Sequence, residues 1–173
     1  MSSSLTVRRI SSDQGATLRD LRAASLRDAP DAFDETLEEA MSEEAETFDA
    51  AAARHAASES STSFILYTEG HPAGLVGAYF DDVDDASGRK AYVRALWVAP
   101  AVRHLRGGEL LVNSAGAWLA ERGAHEIYAW VADANRNAMR FYEALGFGPT
   151  GEHQPIVRAP QEWQTLLVRH VKP

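Results

Sequence analysis

The chain has 173 residues, of which 45% are hydrophobic and 24% charged, which is the composition of a soluble globular protein of one domain, residues 1–173. A net charge of −8 argues against nucleic-acid and anionic-membrane partners, and the lack of cysteine excludes disulfides, thiolate metal sites and a cysteine nucleophile. No run approaches the ~20 apolar residues of a membrane span, and the polar Met-Ser-Ser-Ser start is unlike a signal peptide, so we expect a cytoplasmic protein.

The N-terminal third of the chain predicts one strand and two helical segments. Residues 5–10 alternate between apolar and polar side chains as in a short strand, and residues 16–26 carry leucines at helical spacing. Pro30 ends this helix, because proline disfavours helical backbone at the residue before it. A long acidic segment follows to about Ser58 and is predicted to be helical. The side chains expected on its buried side are Leu37, Met41, Phe48 and His55.

The middle of the chain predicts a β-hairpin and then an acidic loop. Residues 64–70 and 73–80 have strand composition and are separated by a short turn. The loop over residues 81–90 carries four carboxylates, Asp81, Asp82, Asp84 and Asp85. Bunched carboxylates suggest a metal site, but an oxygen cage needs fixed geometry and usually a glycine-defined turn. We therefore expect a solvated loop and no metal.

A strand, a glycine-bearing turn and a helix form the central unit of the chain. Residues 92–98 suit a buried strand, which Pro100 ends, and residues 110–119 carry an apolar stripe with a period near 3.6. A turn of this kind aims main-chain N–H groups and a helix N-terminus at an anion, usually a phosphate. The predicted pyrophosphate-binding residues are Arg103, His104, Leu105, Arg106, Gly107, Gly108 and Glu109. An ordinary surface turn with two glycines is the alternative.

The C-terminal part predicts a strand, a helix and further strands. Residues 125–131 alternate in polarity, and Asn135 is a suitable N-cap for a helix that Gly146 ends. Residues 147–155 are rich in turn-forming residues, and residues 162–171 have the composition of a last strand. The order of elements therefore indicates a mixed α and β domain built around a central β-helix-β-helix unit.

The glycine-bearing turn resembles motif A of the GNAT superfamily of N-acetyltransferases, which reads roughly [QR]-x-x-G-x-[GA] after a hydrophobic strand. It contains neither the P-loop pattern nor the Rossmann fingerprint. Arg103 matches the first position of motif A and Gly108 the last, whereas Arg106 replaces the middle glycine. His104 stands where many members have another glycine. The resemblance implies that this turn binds the pyrophosphate of acetyl-CoA.

A second stretch matches the GNAT motif N-x-x-A-x-x-x-Y-x-x-x-G-F at every position, from Asn135 through Ala138, Tyr142 and Gly146 to Phe147. It follows motif A by one helix and one strand, as in the family. The segment PTGEHQP after it resembles a bacterial, actinobacterial-like subgroup. The chain is therefore identified as a member of the GNAT superfamily. The resemblance implies an α/β (α+β) fold with a central mixed, mostly antiparallel twisted sheet of six to seven strands and about four flanking helices.

The resemblance also implies the chemistry. In the family an amine attacks the thioester carbonyl of acetyl-CoA, and the CoA thiolate leaves. The developing oxyanion needs a preorganised donor, expected to be a main-chain N–H at Leu96, Trp97 or Val98, where the strand splays from its neighbour. Asn135 is expected to line the acetyl-CoA site and Tyr142 to protonate the thiolate. Since the chain has no cysteine, direct transfer in a ternary complex is simpler than a cysteinyl-acyl intermediate.

The acceptor side of the reaction is less defined by the sequence. The expected partner is a small molecule or peptide with an amine, and a homodimer is possible because strand edges in this fold often pair. Glu152 and His153 are candidates for the general base, although an exposed turn explains His153 better. Arg106 and the lack of a carboxylate on the central strand leave an alternative function, a non-catalytic acyl-CoA-binding or protein-interaction module.

Overall fold

Seven strands and five α-helices make up the part of the chain that the structure, a computed structural model, describes: residues 4–81 and 90–171. The strands are β1 (Leu5–Arg9), β2 (Ser61–Thr68), β3 (His71–Asp81), β4 (Lys90–Val98), β5 (Glu126–Ala132), β6 (Gly148–Ile156) and β7 (Ala159–His170). The helices are α1 (Gly15–Asp28), α2 (Leu37–Ser42), α3 (Ala45–Ala57), α4 (Gly107–Glu121) and α5 (Arg136–Ala144). Short 3-10 helices lie at Pro30–Ala32 and Pro100–Leu105.

The strands form one sheet in the order β1-β2-β3-β4-β5-β7-β6. All neighbours are antiparallel except β4 and β5, which are parallel and joined by α4. A parallel pair needs a crossover connection, and the apolar stripe of α4 supplies it. The predicted mixed, mostly antiparallel sheet of six to seven strands is confirmed.

Apolar clusters on the two faces of the sheet hold the helices in place. On one face α4 and α5 bury residues such as Leu111 and Tyr142 against the sheet, where Val76 is fully buried. On the other face, α1 and α3 bury residues such as Leu18 and Ala52 around the strand residues Ile65, Leu75 and Trp97. Strand β4 therefore lies between two helical layers, and its residues contribute to both.

Strand β4 is irregular at the point where it leaves its neighbour. Gly77 of β3 pairs with Arg94 and Leu75 pairs with Trp97, so two residues of β4, Ala95 and Leu96, oppose one residue of β3. Ala95, the first extra residue of this bulge, has a φ of 55° and so lies in the left-handed backbone region. The pairing of β4 with β5 covers only Ala91 with Ile127 and Tyr92 with Tyr128. Beyond these pairs the two parallel strands diverge and leave a gap.

The acidic segment differs from its prediction, because two helices form where one was expected. Glu43 and Glu44 adopt extended backbone conformations and separate α2 from α3. The residues that are fully buried in α2 and α3 are Ala40 and Ala52, whereas the four expected side chains, Leu37, Met41, Phe48 and His55, are half-buried. The reason is close packing: a Cβ on Gly15 of α1 would stand 2.0 Å from the Asp49 carboxylate of α3. Only small side chains fit an interface this tight.

Candidate active site

The glycine-bearing turn leads from the end of β4 into α4. Arg106 is the N-cap of α4 and has φ 64° and ψ 27°, so it occupies the left-handed region. This is the position of the missing middle glycine, and the backbone there adopts the conformation that favours glycine. No side chain caps α4, so the N–H groups of its first turn, which have no acceptor within the helix, remain available to an anion.

The basic side chains of the turn are already paired with carboxylates. The Arg103 Nε donates to the Val98 carbonyl at 2.9 Å, and its guanidinium forms an ion pair with Asp28 at the end of α1. The Trp97 indole N–H also donates to Asp28, at 2.9 Å. These hydrogen bonds, first from Trp97 and then from Arg103, lower the pKa of Asp28. Arg103 therefore ties the turn to the end of β4 and to α1, with its side chain half exposed.

The remaining residues of the turn differ in how accessible they are. Arg106 pairs with Glu109 through a 2.7 Å hydrogen bond, yet its side chain is 80% exposed, so it is free to turn toward a ligand. His104 is exposed, and Leu105 is half-buried beneath it. Arg106 and His104 are thus the side chains of the turn that an incoming anion would meet first.

The two glycines at the start of α4 allow close packing. A Cβ on Gly107 would stand 2.4 Å from Leu66 in the core of the sheet. A Cβ on Gly108 would stand 3.1 Å from the Phe141 ring of α5 and 3.8 Å from Val98 at the end of β4. Gly108 is therefore the point where the turn, the end of β4 and α5 meet.

The predicted oxyanion segment lies along the gap between β4 and β5. Because the bulge shifts the alternation, Leu96 and Val98 pack on the α4 and α5 side, while Trp97 packs on the α1 and α3 side. Strand β5 has no register partner on this stretch of β4 in the described chain. Apart from the Val98 carbonyl, which accepts from Arg103, the main-chain groups of β4 that would bond to β5 are therefore available to a bound molecule.

Tyr142 lies on α5 with its ring buried next to Phe141, the residue that approaches Gly108 of the turn. The residue is 7% exposed and makes edge-to-face contacts at 5.1 Å with both Phe141 and Phe147. Burial raises the pKa of the Tyr142 phenol well above its ordinary value. Within residues 4–81 and 90–171, no group forms a hydrogen bond with its hydroxyl. The hydroxyl is thus a neutral donor available to a ligand.

Asn135 has a structural task in the first turn of α5. Its side-chain oxygen accepts a 3.1 Å hydrogen bond from the Ala138 N–H and so caps the helix, as predicted. The side-chain NH₂ group stays exposed at the N-terminus of α5, where it could donate to a ligand.

The suggested bases Glu152 and His153 lie on β6, exposed to solvent. The His153 Nε2 is 2.6 Å from the Asp133 carboxylate, and the imidazole stacks on Trp163 with a centroid distance of 4.6 Å. Hydrogen bonds from Thr165 and then His153 lower the pKa of Asp133. The structure does not bring Glu152 or His153 into the cavity described next.

A cavity of about 250 Å³ lies on the α1 and α3 side of β4, beside the bulge. Its ionisable lining residues are Arg22, Glu35, Glu43, His55 and Arg94, and Ala95 of the bulge borders it. Sequence analysis assigned none of them to a site. The available signal was Arg94, a charged residue within an otherwise apolar strand.

His55 lines this cavity from the last turn of α3. Its Nδ1 is 2.8 Å from the Ser63 hydroxyl of β2. Burial, and then the positive charges of Arg54, Arg94 and Arg9, lower the pKa of His55 to about 4. The imidazole is therefore neutral at physiological pH.

The described residues contain neither a candidate metal cluster nor a helix that could span a membrane. No group of three or more histidine or acidic side chains among them could hold a metal ion. Asp82, Asp84 and Asp85 of the acidic loop lie outside the described residues. None of the described helices has the length and apolar character needed to cross a membrane.

Comparison with known proteins gives a family match. The model of the acetyltransferase (GNAT) family matches residues 20–147. An uncharacterised N-acetyltransferase of Methanocaldococcus jannaschii is 29% identical over 107 residues, which are 61% of this chain. The match spans 44% of the length of that curated relative.

Solved structures resemble the whole chain in fold. An acetyltransferase of the GNAT family from Streptococcus pneumoniae has a TM-score of 0.80 at 17% identity, over 97% of this chain and 99% of that one. The protein yncA of Salmonella typhimurium, solved with its cofactor acetyl-CoA, has a TM-score of 0.76 at 18% identity, over 99% of this chain and 96% of that one.

Proposed function

The chain belongs to the acetyltransferase (GNAT) family, and from this premise we propose that it transfers the acetyl group of acetyl-CoA to a primary amine, directly and in a ternary complex. The observation that carries the proposal is the meeting point at Gly108. There the uncapped start of α4, the end of β4 beside the gap, and α5 with Tyr142 come together. These elements supply an anion site, main-chain donors and, next to Phe141 in α5, a buried acid.

The residues of this surface fit the parts of acetyl-CoA. The N–H groups at Gly107, Gly108 and Glu109, together with Arg106, suit a pyrophosphate. Unpaired main-chain groups of β4 suit the amides of a pantetheine chain, and the exposed NH₂ of Asn135 adds a donor on the α5 side. Acetyl-CoA supplies an acyl group activated as a thioester.

The chain's own groups would act on both ends of the bond that breaks. As the amine nitrogen bonds to the carbonyl carbon and the carbon–sulfur bond breaks, an N–H of residues 96–98 would stabilise the charge on the carbonyl oxygen. The Tyr142 hydroxyl would donate its proton to the departing sulfur, while the amine would release one proton to solvent water, from which the Tyr142 phenolate would regain its own. Burial raises the pKa of Tyr142, but the same surroundings also raise the pKa of a thiol placed beside it. Proton transfer between the two therefore remains feasible.

Binding of acetyl-CoA and release of CoA test the proposal in turn. Calorimetric titration with acetyl-CoA should give micromolar affinity for the wild type. Arg106→Glu should weaken the affinity about tenfold or more, because it reverses the exposed charge at the start of α4. Arg8→Glu makes the same charge change on β1 and should leave the affinity unaltered.

The outcomes separate the enzyme from the alternative. Thiol release that depends on added amine supports the transferase. Tight binding of acetyl-CoA without thiol release for any amine would favour the non-catalytic acyl-CoA-binding module. Absence of binding at millimolar acetyl-CoA would reject both.

Finer assignments rest on the sequence and the sheet edges. The PTGEHQP segment supports a bacterial, actinobacterial-like subgroup, and a chain without cysteine suits the cytoplasm. Strands β1 and β6 are the two edges of the sheet, and a homodimer would form through one of them. Light scattering would then give twice the 18.9 kDa of the chain.

A further inference from the structure

The cavity beside the bulge of β4 lies on the opposite face of the sheet from α4 and α5. Ala95, which borders the cavity, directly precedes the segment proposed to hold the thioester carbonyl. An amine in the cavity beside Ala95 would therefore be one residue along β4 from that segment, on the α1 and α3 side. The inference below rests on the proposed function and concerns which acceptor this cavity takes.

Arg94 is held in one place by the strand beside it. A Cβ on Gly77, its register partner, would stand 3.3 Å from the Arg94 Cγ, so the glycine makes room for the arginine side chain. Two residues further along β3, the Tyr79 ring lies 4.6 Å from the Arg94 Cζ. A guanidinium stacked on an aromatic face keeps its N–H fork free and preorganised.

Arg94 is also the cation of the cavity that no carboxylate neutralises. Arg22 forms an ion pair with Glu35 at 3.3 Å, and the neutral His55 bonds to Ser63. Throughout residues 4–81 and 90–171, Arg94 has no ion pair. An unpaired guanidinium facing a cavity is suited to a carboxylate, which it can bind through two parallel hydrogen bonds.

The size of the cavity favours a small acceptor. About 250 Å³ is smaller than the roughly 300–1,000 Å³ of pockets that take drug-sized ligands. A polycationic amine would also place a charge beside the unpaired Arg94, at a cost in repulsion. Glu43, which has no described ion pair, supplies a negative charge elsewhere in the lining and could attract an ammonium group.

We propose that Arg94 binds the carboxylate of the acetyl acceptor, and that the acceptor is therefore a small amino acid. With its carboxylate on Arg94, an amino acid would place its amine next to the bulge at Ala95. The amine would then attack the thioester in the gap, with the bond changes already described. Arg94 acts as a specificity residue that orients the acceptor.

Matched acceptors provide the first test. CoA release from acetyl-CoA is measured with each of the common L-amino acids, with the corresponding amino acid amides, and with spermidine as a polycationic amine. We expect at least one amino acid to exceed its own amide by about 10–100-fold in kcat/KM, which is the range of a charged hydrogen bond. The amide has the less basic amine, so at neutral pH a larger fraction of the amide than of the amino acid is present as the free, reactive amine. Greater reactivity of the acid therefore cannot come from the supply of free amine.

Variants of Arg94 provide the second test. Arg94→Gln should remove the preference for acid over amide, and Arg94→Lys should restore only part of it, since an ammonium cannot form the two-pronged contact. Neither should change the affinity for acetyl-CoA. Arg8→Gln is the matched control, because the Arg8 Cζ lies 4.6 Å over Tyr67 in the same kind of contact outside the cavity.

A binding measurement separates this inference from the proposed function. Saturation-transfer NMR with the same amino acids and CoA reports binding without turnover. Binding that depends on Arg94 without any CoA release would contradict the transferase, and of the inference it would support only the contact between Arg94 and a carboxylate. CoA release with amides or spermidine equal to amino acids would overturn the inference and leave the transferase standing. If neither CoA release nor Arg94-dependent binding is observed, both the transferase and the inference are overturned.

Discussion

The Tyr142 hydroxyl is a donor within a buried cluster of aromatic rings. Removing it should therefore change turnover without disturbing the packing of the rings. Tyr142→Phe keeps the ring contacts with Phe141 and Phe147 and deletes only the hydroxyl. We expect kcat to fall by about 10²-fold or more, as for loss of a general acid, with the dissociation constant of acetyl-CoA nearly unchanged. Tyr67→Phe removes a hydroxyl from a similarly buried residue and should leave both constants unaltered. Equal loss of turnover and affinity in Tyr142→Phe would contradict the assigned role.

The left-handed backbone conformation of Arg106 lowers the free energy of unfolding by a measurable amount. A side chain in the left-handed region is disfavoured by ~1 kcal/mol relative to glycine. Arg106→Gly and Arg106→Ala both delete the ion pair with Glu109, but only the glycine variant relieves the backbone. We therefore expect Arg106→Gly to exceed Arg106→Ala by about 1 kcal/mol in the free energy of unfolding, measured in urea. Equal stabilities would show that the turn is not left-handed in solution.

At the scale of the element, Asn135 combines a cap on α5 with an exposed amide. Asn135→Ala should lower the free energy of unfolding by about 1 kcal/mol through loss of the bond to the Ala138 N–H. Asn135→Asp retains a capping oxygen and should keep the stability, yet it loses the NH₂ donor. Weaker acetyl-CoA binding in the stable Asn135→Asp variant would establish contact with acetyl-CoA. Unchanged binding in both variants would leave Asn135 with the cap alone.

An element could be predicted from the sequence where nearby residues determine its backbone conformation, and not where packing against distant residues determines it. The two motifs predicted the turn into α4 and the cap of α5, because main-chain geometry at such points needs particular residues. The division of the acidic segment was missed, since glutamate-rich sequence suits helix throughout and the break at residues 43–44 depends on packing against α1. The bulge in β4 left a trace, the unequal spacing from Val93 to Leu96, but only pairing with β3 gives it meaning.

At the scale of the whole molecule, the fold determines which residues line the cavity, and the sequence alone could not predict this. The cavity joins Arg22, Glu35, His55 and Arg94, which come from separate elements and share no motif. Their proximity follows from the order of strands and from the tight approach of α1 to α3. A charged residue on a central strand was visible in the sequence, but its lack of a partner is a property of the fold. Acceptor specificity is therefore the part of the function that the family motifs leave open.

His55, which lines that cavity, makes the stability of the whole fold depend on pH. Burial together with the charges of Arg9, Arg54 and Arg94 lowers the pKa of His55 to about 4, against about 6.5 in an unfolded chain. Between these two values the unfolded state binds a proton that the folded state does not. The free energy of unfolding is therefore fully maintained above about pH 6.5 and decreases as the pH falls toward 4.

This difference predicts that His55 weakens the fold in mild acid. Each pKa unit corresponds to ~1.4 kcal/mol, and partial exposure reduces the full effect, so we expect a loss of about 1–2 kcal/mol between pH 7 and pH 5. Urea unfolding at the two pH values measures it. His55→Gln, which can still bond to Ser63, should lose less over this interval, while His125→Gln at an exposed position should behave like the wild type. If His55→Gln shows the same dependence on pH as the wild type, His55 is protonated alike in both states, and the charge assigned to the cavity must be revised.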